Sequence, residues 1–90
     1  MPKVKIPAPL RRLTSQQAEV DVEAATIKEL IGALEKKFPG IKKRLCDDNG
    51  KIRKFLDIYV EDEDIRFLDG EDTKLNKESN VDIISAIVGG

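Results

Sequence analysis

Ninety residues, 40% apolar and 37% charged with a net charge of −1, are enough for one domain with a single sheet and one or two helices. The near balance of charge points to no partner class, one cysteine rules out an internal disulfide, and the absence of histidine removes the usual neutral-pH acid–base residue and the commonest metal ligand. No apolar run approaches the ~20 residues of a membrane span, and the opening MPKVKIPAPL has no stretch suited to export, so a soluble, cytoplasmic, non-enzymatic protein is expected.

In chain order, Val4 and Ile6 share a face before Pro7 and Pro9, which cannot donate to a ladder, so a strand is predicted over residues 3–7. A hairpin-length polar loop, RRLTSQQ, leads to strict apolar/acidic alternation and a second strand over residues 18–23. Thr26 to Glu29 forms a capping box, with the glutamate reaching back to the threonine amide. The helix that follows buries Ile27, Leu30, Ile31, Leu34 and Phe38, leaves Lys28, Glu35 and Lys36 in water, and stops at Pro39-Gly40.

Residues 41–54 read as a basic loop with a turn at Asp48-Asn49-Gly50. KFLDIYV is a strand with Leu56, Ile58 and Val60 on one face and Phe55 and Tyr59 on the other. A tight acidic turn over residues 61–64 precedes a short strand over residues 65–68, and Leu75 supplies a buried anchor. The last strand, residues 81–88, sets Val81, Ile83, Ser85 and Ile87 against Ile84, Ala86 and Val88. Apolar residues on both of its faces are expected of a central strand that pairs in parallel with the first.

Charge is segregated. Residues 36–54 hold eight Lys/Arg against Asp47 and Asp48, and residues 55–90 hold three against ten acids. Solvated faces compete with docking by complementarity as the explanation. The basic stretch lacks interleaved aromatics, so no nucleic-acid partner is expected. Asp47-Asp48-Asn49-Gly50 lacks the ligand spacing of a calcium loop, and no metal site is expected. Cys46, without a histidine to serve as its base, reads as a partly buried small hydrophobe, although neighbouring cations could lower its pKa.

The chain closes on IISAIVGG. Two glycines add no stability to a strand and are expected to form a flexible tail, residues 89–90, after a domain of residues 1–88. A terminal carboxylate is a poor electrophile, but as a mixed anhydride with AMP its carbonyl accepts a sulfur donor. Gly90 has no Cβ to block the attack, and Gly89 lets the backbone thread a narrow channel in a partner.

These residues resemble the ubiquitin-like β-grasp sulfur carriers of the MoaD/ThiS family. PLRRLTSQQ is similar to the family's first loop, TIKELIGALEKKFPGI to its helix, IYVEDEDIRFLDGEDTKL to its paired strands and acidic turns, and SAIVGG to its ending. IYVEDEDIRF most resembles MoaD-like members, including the CysO type that delivers sulfur for cysteine synthesis. The resemblance implies an α+β, β-grasp fold, a mixed sheet of about five strands on one main helix. It also implies that an ATP-dependent, ubiquitin-activator-like enzyme adenylates Gly90, that a persulfide donor supplies sulfur, and that a downstream synthase consumes the thiocarboxylate. ATP belongs to the activating partner, and the carrier itself binds no cofactor. The acceptor is left open among a molybdopterin precursor, a thiazole precursor, an activated serine derivative and a tRNA base. The partner surface is expected near Tyr59 and Phe67, rimmed by Glu61, Asp62, Glu63 and Asp64. Two other readings stand: a modifier joined to lysines through Gly90, and a plain interaction module with accidental glycines.

Overall fold

The computed structural model describes residues 1–86, and the expectations for Gly89 and Gly90 lie outside them. Five strands form one mixed sheet: β1 (Lys3–Lys5), β2 (Glu19–Asp21), β3 (Leu56–Val60), β4 (Glu63–Asp64) and β5 (Asn80–Ser85), in the order β2-β1-β5-β3-β4. β1 and β5 run parallel at the centre, with Val4 opposite Val81, and every other pairing is antiparallel. One face is covered by helix α1 (Ile27–Lys37), whose Ile27, Leu30, Ile31 and Leu34 pack on Val4, Ile58, Val81 and Ile83 in a single core.

Local chemistry sets the helix start. The Thr26 hydroxyl accepts from the Glu29 amide at 3.2 Å, satisfying one of the free donors of the first turn. The Glu29 carboxylate accepts from the Ala25 amide at 3.3 Å, one residue before the threonine amide expected of a capping box.

Several sequence expectations change. The link between β1 and β2 is not a hairpin loop: Ala8–Thr14 winds into a 3-10 helix that buries Leu10 and Thr14. Pro7 leads into it in extended backbone, φ −64° and ψ 144°, and Pro9 falls in its first turn, where a missing amide donor costs nothing. Both strands are shorter than expected, three residues each.

Residues 41–45 are helical rather than loop: α2 (Ile41–Leu45) buries Ile41 and Leu45, one turn apart. Glu35 starts that helix. Its carboxylate accepts from the Lys42 amide at 2.9 Å and the Gly40 amide at 3.1 Å, so it serves as a cap rather than a solvated charge. Gly40 sits at φ +102°, where a side chain would be strained.

The expected strand over residues 65–68 is replaced by a 3-10 helix, Ile65–Phe67, and the acidic segment itself supplies β4. Only Glu61 and Asp62 make the reversal, both left-handed at φ 50° and 69°, a geometry that suits the twist of a two-residue hairpin. Phe55 precedes β3 and packs against the core instead of sharing the outer face with Tyr59. β5 is central, as expected, but only one of its faces is covered: Val81 and Ile83 are buried, whereas Ile84 is 47% exposed. Residues 87–88, assigned to this strand from sequence, lie outside the described residues.

Candidate functional site

What can be built upward is the platform that leads to the tail. β5 carries the chain out along the centre of the sheet, with Ser85 opposite Leu56 in β3, and the Ala86 amide still donates to the Phe55 carbonyl at 2.8 Å. The pairing with β1 ends at Asp82, so β3 alone holds the segment immediately before residue 87.

The open face beside it is a row across all five strands. Glu19, Lys5, Asp82, Tyr59 and Asp64 stand opposite one another in register from β2 to β4. Tyr59 is half-buried in that row, and Phe67 is 86% exposed in the 3-10 helix after β4. Ile84 and Leu68 add further exposed apolar surface. Sequence reasoning missed Ile84 because it was read as half of a doubly covered strand.

The four acids differ in role. The Asn80 amide donates to the Glu61 carboxylate at 3.0 Å and the Glu61 amide to the Asn80 carbonyl at 3.1 Å, which ties the hairpin to β5. Asp64 accepts from the Arg66 amide at 2.8 Å and pairs with the Arg66 guanidinium at 2.6 Å. Arg66 also reaches Asp57 on β3 at 2.7 Å. The Arg66 side chain and amide hold the Asp64 carboxyl below the usual carboxylate range, and the Asp64 side chain raises Arg66 in return. Asp62 and Glu63 project from the turn, exposed. Glu61 and Asp64 thus shape the rim, while Asp62 and Glu63 present its charge. Arg66 could have been suspected as the lone cation in that acidic stretch.

Asp82 was also missed. One of its carboxylate oxygens is buried without a hydrogen-bond partner, and the nearest cation, Lys5 Nζ, stands at 4.0 Å. The signal was present: a single charge inside an apolar strand. Asp82, Ile84 and Ser85 form one wall of a shallow groove of about 570 Å³, and Pro7, Pro9 and Arg11 form the other. This groove borders the point where β5 ends.

Cys46 is buried rather than partly buried, and burial, followed by the charge of Glu71, pushes its thiol pKa up, opposite to the lowering that nearby lysines suggested. Among the described residues no group of Asp, Glu and Cys could hold a metal ion, and no helix is long and apolar enough to cross a membrane. The described residues present a partly apolar open face beside the end of β5.

Comparison with known proteins gives this platform relatives. The family model described as ThiS family matches residues 4–90. The sulfur carrier protein CysO of Mycobacterium tuberculosis is 39% identical over 89 residues, covering 97% of this chain and 96% of that protein. Among solved structures, the Amycolatopsis orientalis BexX/CysO complex contains a chain that superposes with a TM-score of 0.92 at 34% identity, covering all of both chains. Small archaeal modifier protein 1 of Methanosarcina acetivorans shares the fold, with a TM-score of 0.84 at 22% identity over 99% of this chain and 95% of that one.

Proposed function

The chain belongs to the ThiS family, and from that premise we propose that it is a sulfur carrier, a protein that other enzymes act upon rather than an enzyme itself. The observation that carries this reading is the 39% identity to a protein named as a sulfur carrier, extending over nearly the whole of both chains. The central position of β5 supports it, because this strand brings Ser85 and Ala86 to the border of an open, partly apolar sheet face.

In this reading a partner enzyme uses ATP to adenylate the Gly90 carboxylate, releasing pyrophosphate. The terminal sulfur of a persulfide donor displaces AMP, and cleavage of the S–S bond by a thiol leaves Gly90 as the thiocarboxylate. That sulfur is then passed to an activated serine derivative, the acceptor suited to a CysO-type carrier. The activating enzyme docks on the open face at Tyr59, Phe67 and Ile84, with Asp62 and Glu63 steering it by charge.

The test is the intact mass of the protein isolated from its own cells, together with ATP–pyrophosphate exchange by the activating enzyme that accepts it. The carrier reading expects replacement of one oxygen by sulfur at Gly90 and loss of exchange when a residue is added after it. Adducts of higher mass on lysines of other proteins would mark a modifier instead. Full exchange by the extended protein would end both readings and leave an interaction module.

A further inference from the structure

The outer edge of β3 is only half covered. β4 pairs with Tyr59 and Val60 alone, so Leu56, Asp57 and Ile58 have β5 on one side and, among the described residues, no strand on the other. Along the uncovered side runs a groove of about 670 Å³. Its floor is Leu56, Ile58 and Ile65, and its rim includes Lys51, Arg53 and Lys54 with Glu71.

An open strand edge is a template for another strand. The charges around this one are of predominantly one sign. Arg66 and Asp64, which also line the groove, neutralise each other at 2.6 Å. Arg53 spends its donors on the Lys43 carbonyl, at 2.8 and 3.1 Å, but keeps its charge. Lys51 and Lys54 are exposed and have no ion-pair partner among the described residues. No aromatic side chain lines the groove, so nothing there would stack a nucleic-acid base. The Leu56 amide donates to the Arg53 carbonyl at 3.0 Å, and the edge is open beyond it, so an apolar floor, a basic rim and this backbone edge together fit an extended peptide.

We propose that this groove receives an extended segment of a partner protein, which joins the sheet as a strand beside Leu56–Ile58. The segment brings aliphatic side chains to the floor and acidic side chains to Lys51 and Lys54. Backbone pairing supplies affinity, and the alternation of aliphatic and acidic residues supplies selectivity. Because Ser85 pairs with Leu56, the added strand lies two strand spacings, about 10 Å, from the end of β5. A partner held there stands beside the departing chain without covering Tyr59, Phe67 or Ile84, none of which lines the groove. The proposal makes no use of Gly90, so it can fail while the carrier reading holds, and the reverse.

The experiment is a titration of the ¹⁵N-labelled full chain with a capped synthetic peptide of alternating valine and glutamate. Saturable amide shifts are expected at Lys51–Lys54, Leu56–Ile58 and Ile65. Charge reversal of Lys51 and Lys54 should weaken binding about tenfold, the summed effect of two exposed ion pairs turned to repulsion, with the melting temperature unchanged. Methylating alternate backbone nitrogens of the peptide should abolish binding, because it removes the donors a strand must offer. Shifts elsewhere, no saturable shift, equal binding by the methylated peptide, or a response to single-stranded oligothymidylate in place of the peptide would each overturn the proposal.

Discussion

Replacing Phe67 with alanine tests the open face where the structure offers it most. The ring belongs to the class that buries ~150–250 Å², and it is 86% exposed in the free protein. If docking removes most of that area from water, the transfer term at ~25 cal/mol per Å² approaches ~4 kcal/mol as a ceiling. Ordering and polar desolvation take back a large part, leaving ~1.5–3 kcal/mol, or roughly a ten- to hundredfold rise in Kd. Stability should hold within about 0.5 kcal/mol, since the ring is as wet in the folded chain as in the unfolded one. Calorimetric titration of the activating enzyme, paired with urea melts of the carrier, separates the two effects. Binding within twofold of the parent, with an unchanged melt, would remove Phe67 from the interface and with it the main apolar anchor of the proposed surface.

Leu34→Ala addresses the core instead: the side chain is fully buried under the sheet, so a loss of ~2–5 kcal/mol is expected, against a negligible change for Lys36→Ala, and equal losses would contradict the helix orientation. Asp62→Asn with Glu63→Gln should slow association with the activating enzyme and flatten its salt dependence without shifting the melt; a rate indifferent to both salt and substitution would make the acidic turn a solvated face. Acidification should destabilise the fold through Glu35, Asp47 and Asp64, each held below its ordinary value in the folded state by amide or Arg66 hydrogen bonds. The unfolded chain takes up these protons first, so the stabilisation is complete above the ordinary values of 4.5 and 3.8 and is lost as pH falls through the lowered ones. Glu35→Gln should therefore show a shallower acid slope in urea melts, and parallel slopes would deny the cap across Gly40 and Lys42.

What could be read in advance followed how far each signal reached along the chain. The α1 stripe and its Thr26 cap lie within a few residues of one another, and they fold as their spacing says. The parallel pairing of β1 with β5 was inferred from apolar residues on both faces of the last strand, and the pairing forms although Ile84 leaves one of those faces open. Ile65 and Phe67 misled because alternation was the only clue. The Asp64 side chain bonds to the Arg66 amide, which winds the segment into a turn and sends Ile65 inward and Phe67 out. Ile41 and Leu45 carried a one-turn spacing, but a run of lysines and arginine between them looked like loop. Their helix begins on a carboxylate from the preceding helix, a contact no local pattern displays. On the site, the acidic turn was visible as composition. Its division into Glu61 and Asp64 as struts, and Asp62 and Glu63 as free charges, depends on Arg66, two residues from Asp64, and on Asn80, which only the sheet register brings alongside Glu61.

The placement of β5 has a consequence for how the protein is made. Chains emerge from synthesis beginning at the N-terminus, and β1 is ready almost at once, yet its parallel neighbour is residues 80–82. Until those residues appear, β1 and β3 have no strand between them, and Val4, Ile58 and Leu34 have no finished core to enter. Folding thus waits for the last strand, the slow arrangement that pairing of distant segments imposes. A chain broken off before β5 cannot close its sheet and stays open to proteases. The native state in this way certifies that β5 has been made: under the proposed function, every folded molecule that meets a partner already carries the strand that precedes Gly89 and Gly90 in the chain.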